Sequence, residues 1–168
     1  MFKIFVTDLG WLEKCVPKED KCLHGNATAI IGEETFGFNA VVSSTGLYLL
    51  KSLTQDHVMN RGASGFLPCC GHFIYQHNDK DSVETMDCPN GIDWSVIHED
   101  GKVKLVTESG AETVISIEEY TKIVHDFCDI IEDYYINSEP KVFDKSEKEE
   151  EKNYKLFWKE WHRRRGRK

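Results

Sequence analysis

The chain has 168 residues, 40% of them hydrophobic and 30% charged, with a formal net charge of -8 at pH 7. That length buries a substantial core without covalent staples and argues for a single soluble domain. No apolar run reaches the roughly 20 residues of a membrane helix, and the N-terminal MFKIFVTDLGW lacks the pattern of a secretory signal, so a cytoplasmic protein with reduced thiols is expected.

Phe2, Ile4 and Val6 alternate with Lys3, Phe5 and Thr7, the period-two pattern of a strand with one face inward. WLEKCVPKEDKCLHGN, with Pro17 and Gly25, reads as turns. ATAIIGEETFGFNAVVSS reads as two strands about a Gly32–Glu33 turn, with Gly37 as a second interruption. Ser44 or Thr45 is placed to cap a short helix carrying Leu49, Leu50 and Leu53. DHVMNRGASG reads as a loop with little to pack. Strand character returns at Phe73, Ile74 and Tyr75, and again near Val83.

From Asp93 the pattern sharpens. WSVIHEDGKVKLVTESGAETVISI predicts three strands punctuated by Asp100–Gly101 and Ser109–Gly110. Asp-Gly between alternating residues is a hairpin signal, because Gly accepts the positive φ of a tight turn. A helix is predicted from about Ile117 to Ile136, ending before Pro140. Tyr120, Ile123, Val124, Phe127, Ile130, Ile131 and Tyr134 line its apolar face, and acids occupy the other. In residues 144–168 a second helix places Tyr154, Phe157, Trp158 and Trp161 on one stripe. These elements make an α+β protein with a largely antiparallel sheet, packed by the long helix and the aromatic C-terminal helix. Residues 1–143 form the domain and 144–168 dock on it.

Charge divides along the same line. Residues 1–143 hold 11 Lys+Arg against 23 Asp+Glu, and residues 144–168 hold 10 against 6. An acidic body repels nucleic acid and favours a basic protein partner. The acids on the outer face of the long helix, Glu118, Glu119, Asp126, Asp129, Glu132 and Asp133, are the candidate partner surface, with Trp158 and Trp161 as aromatic anchors. The bland alternatives are a solvated helix face and an aromatic stripe docked on the chain's own core.

Cys69, Cys70, His72 and Cys88 supply soft thiolates and an imidazole of the kind zinc takes, with Cys22 or His24 as distant additions. The spacing lacks a second ligand pair, and vicinal cysteines diverge in extended backbone. Small buried thiols around Pro68 and Gly71 are the plainer reading, so no cofactor is expected and zinc is the alternative. Cys70 with His98 or His57 has no local nucleophile signature. Phosphate-loop, nucleophile-elbow and metalloprotease motifs are absent from the sequence.

KCLHGNATAIIGEE, the PCCGH turn, CPNGIDWSVIHEDGKVKLV and EEYTKIVHDFCDIIEDYYINSEPK followed by YKLFWKEWHRRR resemble a group of small bacterial proteins, mostly from Gram-positive species. In size, acidity and lack of catalytic motifs the chain is similar to immunity proteins encoded beside polymorphic or contact-dependent toxins. That resemblance implies a non-enzymatic protein-binding module that occludes a basic toxin domain. The alternative is a zinc-binding protein, structural or hydrolytic, built on the Cys69, Cys70, His72 and Cys88 cluster.

Overall fold

The alternating apolar residues at the N-terminus form β1 (Phe2–Gly10), with Phe2 and Ile4 buried. The structure is a computed structural model and describes residues 1–12, 16–59, 65–69, 73–76, 81–86 and 90–167. β1 pairs antiparallel with β2 (His24–Ile31), and β2 with β3 (Glu34–Val41). Gly32 turns the chain with φ 64°, a value that glycine adopts without steric penalty. Gly37 does not interrupt β3; it pairs in register with Thr28.

β3 runs straight into α1 (Val42–Ser52). Ser44 and Thr45 are therefore interior helical residues, both buried, and Val41 occupies the N-cap without a side-chain cap bond. Tertiary contacts fix this start instead. Val41 N–H donates to the Pro68 carbonyl at 2.9 Å, and Ser43 Oγ accepts from Leu23 N–H at 3.2 Å. Local capping preference is worth about 1 kcal/mol and yields to such contacts.

After α1 the chain is tied down at His57 and at Leu67, and residues 60–64 of the expected loop lie outside the described residues. His57 and Val96 exchange two backbone hydrogen bonds of 2.9 and 2.8 Å, and Leu67 and Ile92 exchange two of 3.0 and 3.1 Å. β4 (Ile74–Gln76) and β5 (Val83–Thr85) form a separate antiparallel pair. β6 (Ser95–Glu99), β7 (Lys102–Val106) and β8 (Glu112–Ser116) form a second three-stranded antiparallel sheet. Asp100 and Gly101 turn β6 into β7 with φ of 49° and 73°, the two positive values of a type I′ hairpin turn.

α2 spans Ile117–Ile136 and is capped by Ser116, whose side chain accepts from Glu119 N–H. It buries Tyr120, Val124, Phe127, Cys128 and Ile131 against α1 and β1. Ile130, expected on that face, is 46% exposed; Cys128 is buried on the side that packs against Gly46, whose carbonyl accepts its S–H at 3.5 Å. Phe2, Phe66, Trp94 and Tyr120 form the aromatic centre, with Phe66 stacked on Trp94 at 4.6 Å. The Tyr120 hydroxyl keeps a hydrogen bond to Ser52 Oγ at 2.7 Å, as a buried phenol must.

α3 (Lys148–Arg164) lies against α1, β4 and β5 and buries Phe157 and Trp161. Glu149, Glu150 and Glu151 occupy its first turn, and His162, Arg163 and Arg164 its last, signs that oppose the helix dipole at each end. The architecture is α+β, and its sheets are antiparallel throughout the described residues.

Trp161 reaches α1 at Gly46, where an added Cβ would lie 2.4 Å from Cη2 and 2.7 Å from Cζ3 of the indole. Alanine elsewhere in a helix interior gains roughly 1 kcal/mol over glycine. Here overpacking against a rigid ring outweighs that gain, so Gly46→Ala is expected to destabilise the protein by about 1–3 kcal/mol. Urea denaturation reads this directly, and a midpoint that stays level or rises would show that the indole moves aside.

Candidate functional site

Glu118, Lys122, His125, Asp129, Glu132 and Ile136 recur along α2 at helical spacing and form one stripe. The C-terminal end of α3 and the residues after it lie against this stripe. Arg165 pairs with Asp129. Arg167 reaches Asp129 at 2.8 Å through one nitrogen and Glu132 at 2.8 Å through the other. Glu132 also accepts from Trp161 Nε1–H at 3.2 Å and is bonded to His162 Nε2 at 3.1 Å. At 5% exposure this carboxylate is interior, and burying a carboxylate is costly unless such partners satisfy it.

The expected partner surface thus divides. Glu118, Glu119, Asp126 and Asp133 are exposed, with Asp126 in an ion pair with Lys122. Asp129 and Glu132 are held by the chain's own arginines. Trp158 is half-buried, and Trp161, at 0% exposure, belongs to the core instead of the surface. Glu132 continues the i, i+4 row of Val124 and Cys128, which the structure buries.

Two depressions flank the arginine crossing. One is open, about 570 Å³, and lined by Glu118, His125, Asp126, Asp129 and Arg165 among others. The other measures about 380 Å³ and is lined by Tyr135, Ile136, Pro140, Tyr154 and Trp158, together with Glu132, Glu139, Lys141 and His162. Its geometry is fixed from below. The Tyr135 hydroxyl donates to the Lys21 carbonyl at 2.8 Å and accepts from Leu23 N–H at 3.0 Å, which sets the ring edge-on to Trp158 at 4.9 Å. Lys141 is committed to the Pro17 carbonyl at 2.8 Å and to the Trp11 ring, and burial pushes its ammonium down to about 8.

Sequence reasoning missed Glu160. It is 0% exposed and accepts from Val83 N–H at 2.7 Å, Ser82 Oγ–H at 3.2 Å and Arg164 Nε–H at 2.8 Å. Lys51 lies 4.0 Å away; burial lowers its pKa while Glu160 and Glu84 oppose that. A polar cavity of about 390 Å³ opens beside this cluster, lined by Lys51, Ser52, Asp56, His57, Glu84 and Arg164. Its imidazole and hydroxyl serve structure: His57 is bonded to Asp93 at 2.8 and 2.9 Å, and Ser52 to the Leu49 carbonyl and Tyr120. His98 likewise contacts Asp56 at 2.8 Å. Glu160 could have been flagged by its place beside Trp161 on the buried stripe of α3.

Of the expected zinc ligands, Cys70, His72 and Cys88 lie outside the described residues. Cys69 is disulfide-bonded, so the expected reduced state does not hold there, and a disulfide sulfur offers no thiolate to a metal. His24 is 3.8 Å from Asp20. Cys22 and Cys128 are buried; burial pushes Cys22 up to about 12 and Cys128 well above its ordinary value. Among the described residues no group of three or more His, Cys, Asp or Glu is placed to hold a metal ion, and no helix is long and apolar enough to cross a membrane. No protein-family model matches the chain, and comparisons with curated proteins and with solved structures return no match.

Since thiolates are the nucleophiles, alkylation of the native protein at pH 8 is expected to leave Cys22 and Cys128 unmodified by site-resolved mass spectrometry, and to label both in denaturant. Native labelling of either would contradict its burial. Arg165→Ala combined with Arg167→Ala is expected to lower stability by about 1–3 kcal/mol, through a buried carboxylate left short of partners. Adding Glu132→Gln recovers part of that loss; a further drop in thermal midpoint would mean that the carboxylate's charge is not what the arginines satisfy.

Proposed function

We propose that this protein is a non-enzymatic binding module that sequesters a basic protein partner on the outer face of α2. The observation that carries this reading is that Asp129 and Glu132 already hold Arg165 and Arg167, while Glu118, Glu119, Asp126 and Asp133 stay exposed on the same helix. The face therefore has the chemistry to bind guanidinium groups and carries more carboxylates than the chain's own arginines occupy. The excess of acids over bases in residues 1–143 extends the same field over the body, which raises encounter rates with a cationic partner.

The resemblance to immunity proteins makes a basic toxin domain the partner of choice, with stoichiometric occlusion as the mechanism. In that mechanism exposed carboxylates steer the encounter, and half-buried aromatics such as Trp158 hold the complex once water is excluded.

The test compares the wild-type chain with Asp126→Lys combined with Asp133→Lys, both exposed positions. The wild type is expected to retain strongly basic proteins from a lysate of its source cells and to release them with salt. Association with a purified captured protein is expected to slow roughly tenfold in the variant and to lose much of its salt dependence. Equal association rates for the two proteins at low salt would remove this face from the function.

A further inference from the structure

The pocket at the end of α2 has a composition that solvated charge does not explain. Tyr135, Tyr154, Trp158 and Ile136 make it largely apolar, and Ile136 is 69% exposed at its edge. Its volume of about 380 Å³ falls within the roughly 300–1,000 Å³ typical of ligand pockets. The α2 stripe that begins at Glu118 ends at this pocket, so the charged depression and the apolar one lie along a single helix. The chain's arginines cross between them at Asp129 and Glu132.

The depression at the start of the stripe offers carboxylates to a cation. Glu118, Asp126 and Asp129 line it beside Lys122, His125 and Arg165, and Glu118 and Asp126 are exposed. A basic polypeptide segment brings cationic side chains to such carboxylates at regular spacing.

We propose that the α2 stripe and its terminal pocket form one docking groove for an extended basic segment of a protein partner. Its arginine or lysine side chains lie against Glu118, Asp126 and Asp133, and one large apolar side chain enters the pocket beside Trp158 and Ile136. This rests on the reading of a basic partner and specifies how that partner is held. The helix geometry sets the spacing. Asp126 and Ile136 are separated by ten helical residues, or ~15 Å at 1.5 Å per residue. An extended chain covers that span in about four or five residues at 3.3 Å each. The basic pair and the apolar anchor therefore sit four or five positions apart in the partner.

The probe is a set of synthetic peptides in which two arginines, four Gly/Ser residues and a variable position X follow in order, with X as Leu, Phe or Ser. Calorimetry against the full chain at low salt is expected to show the Leu and Phe peptides binding at least about tenfold tighter than the Ser peptide, as burial of one large apolar side chain implies. Trp158→Ala is expected to erase that difference. Ile136→Gln, at an exposed position where folding is preserved, is expected to reduce it severalfold while leaving the Ser peptide unchanged.

Equal binding of all three peptides, with a slope in salt, would overturn the pocket while leaving the acidic-surface reading intact. No binding of any peptide would overturn the groove, and the association experiment with a captured basic protein would still decide the broader reading. Self-association of the wild type that Ile136→Gln abolishes, without a peptide preference, would give the groove to a second copy of the chain and overturn the proposal.

Discussion

The contact on which the rest of the molecule depends is the seating of Trp161 against Gly46. The indole lies where only a residue without a side chain leaves room, and it is wholly buried. A tryptophan in that position carries one N–H into the interior, and an unpaired buried donor costs about 1–3 kcal/mol. The donor finds Glu132 on α2. One side chain therefore ties α1, α2 and α3 together, and its polar atom brings a carboxylate inward with it.

From that carboxylate follows the arrangement of the basic C-terminal residues. Glu132 needs cationic or donor partners and has them in Arg167 and His162. Glu160, on the other side of α3, has them in Arg164, the Val83 amide and Ser82. The positive charge of residues 144–168 is thus largely spoken for within the fold. The arginines at the end of the chain are bound to the acids of its own helices.

The parts of this fold legible in the sequence are those decided by local chemistry. The Phe2–Ile4–Val6 alternation, the Asp100–Gly101 turn and the periodicity of α2 each depend on neighbours within a few residues. The parts that were not legible depend on contacts distant in sequence. Ser44 and Thr45 are ordinary capping residues, yet the Val41–Pro68 and Ser43–Leu23 hydrogen bonds start α1 earlier. Ile130, expected on the apolar face, is exposed because α2 presents its Cys128 side to Gly46. Glu132 was legible as an acid on a helix; that it would be interior depended on Trp161, and so on Gly46 more than eighty residues away. For the Cys69, Cys70, His72 and Cys88 cluster the sequence offered residue types without spacing, and the disulfide at Cys69 makes thiolate ligation and the observed covalent state exclusive of each other at that sulfur.

The candidate site follows from the same chain of constraints. Exposed ion pairs contribute about 0–1 kcal/mol each, so in the proposed complex the carboxylates along α2 would govern encounter and orientation more than affinity. Asp129 and Glu132 are further discounted, because a partner must displace Arg165 and Arg167 to reach them. Strength must then come from desolvated apolar contact, and on this face that is found at Tyr135, Ile136, Tyr154 and Trp158. Those aromatics are rigid for a reason internal to the fold: the Tyr135 hydroxyl is fixed by the backbone at Lys21 and Leu23, and Trp158 packs on Phe157 and Trp161. A pocket whose walls are already held by the core loses little conformational freedom when it is filled. The seating of Trp161 that organises the three helices therefore also fixes a wall of this pocket through Trp158.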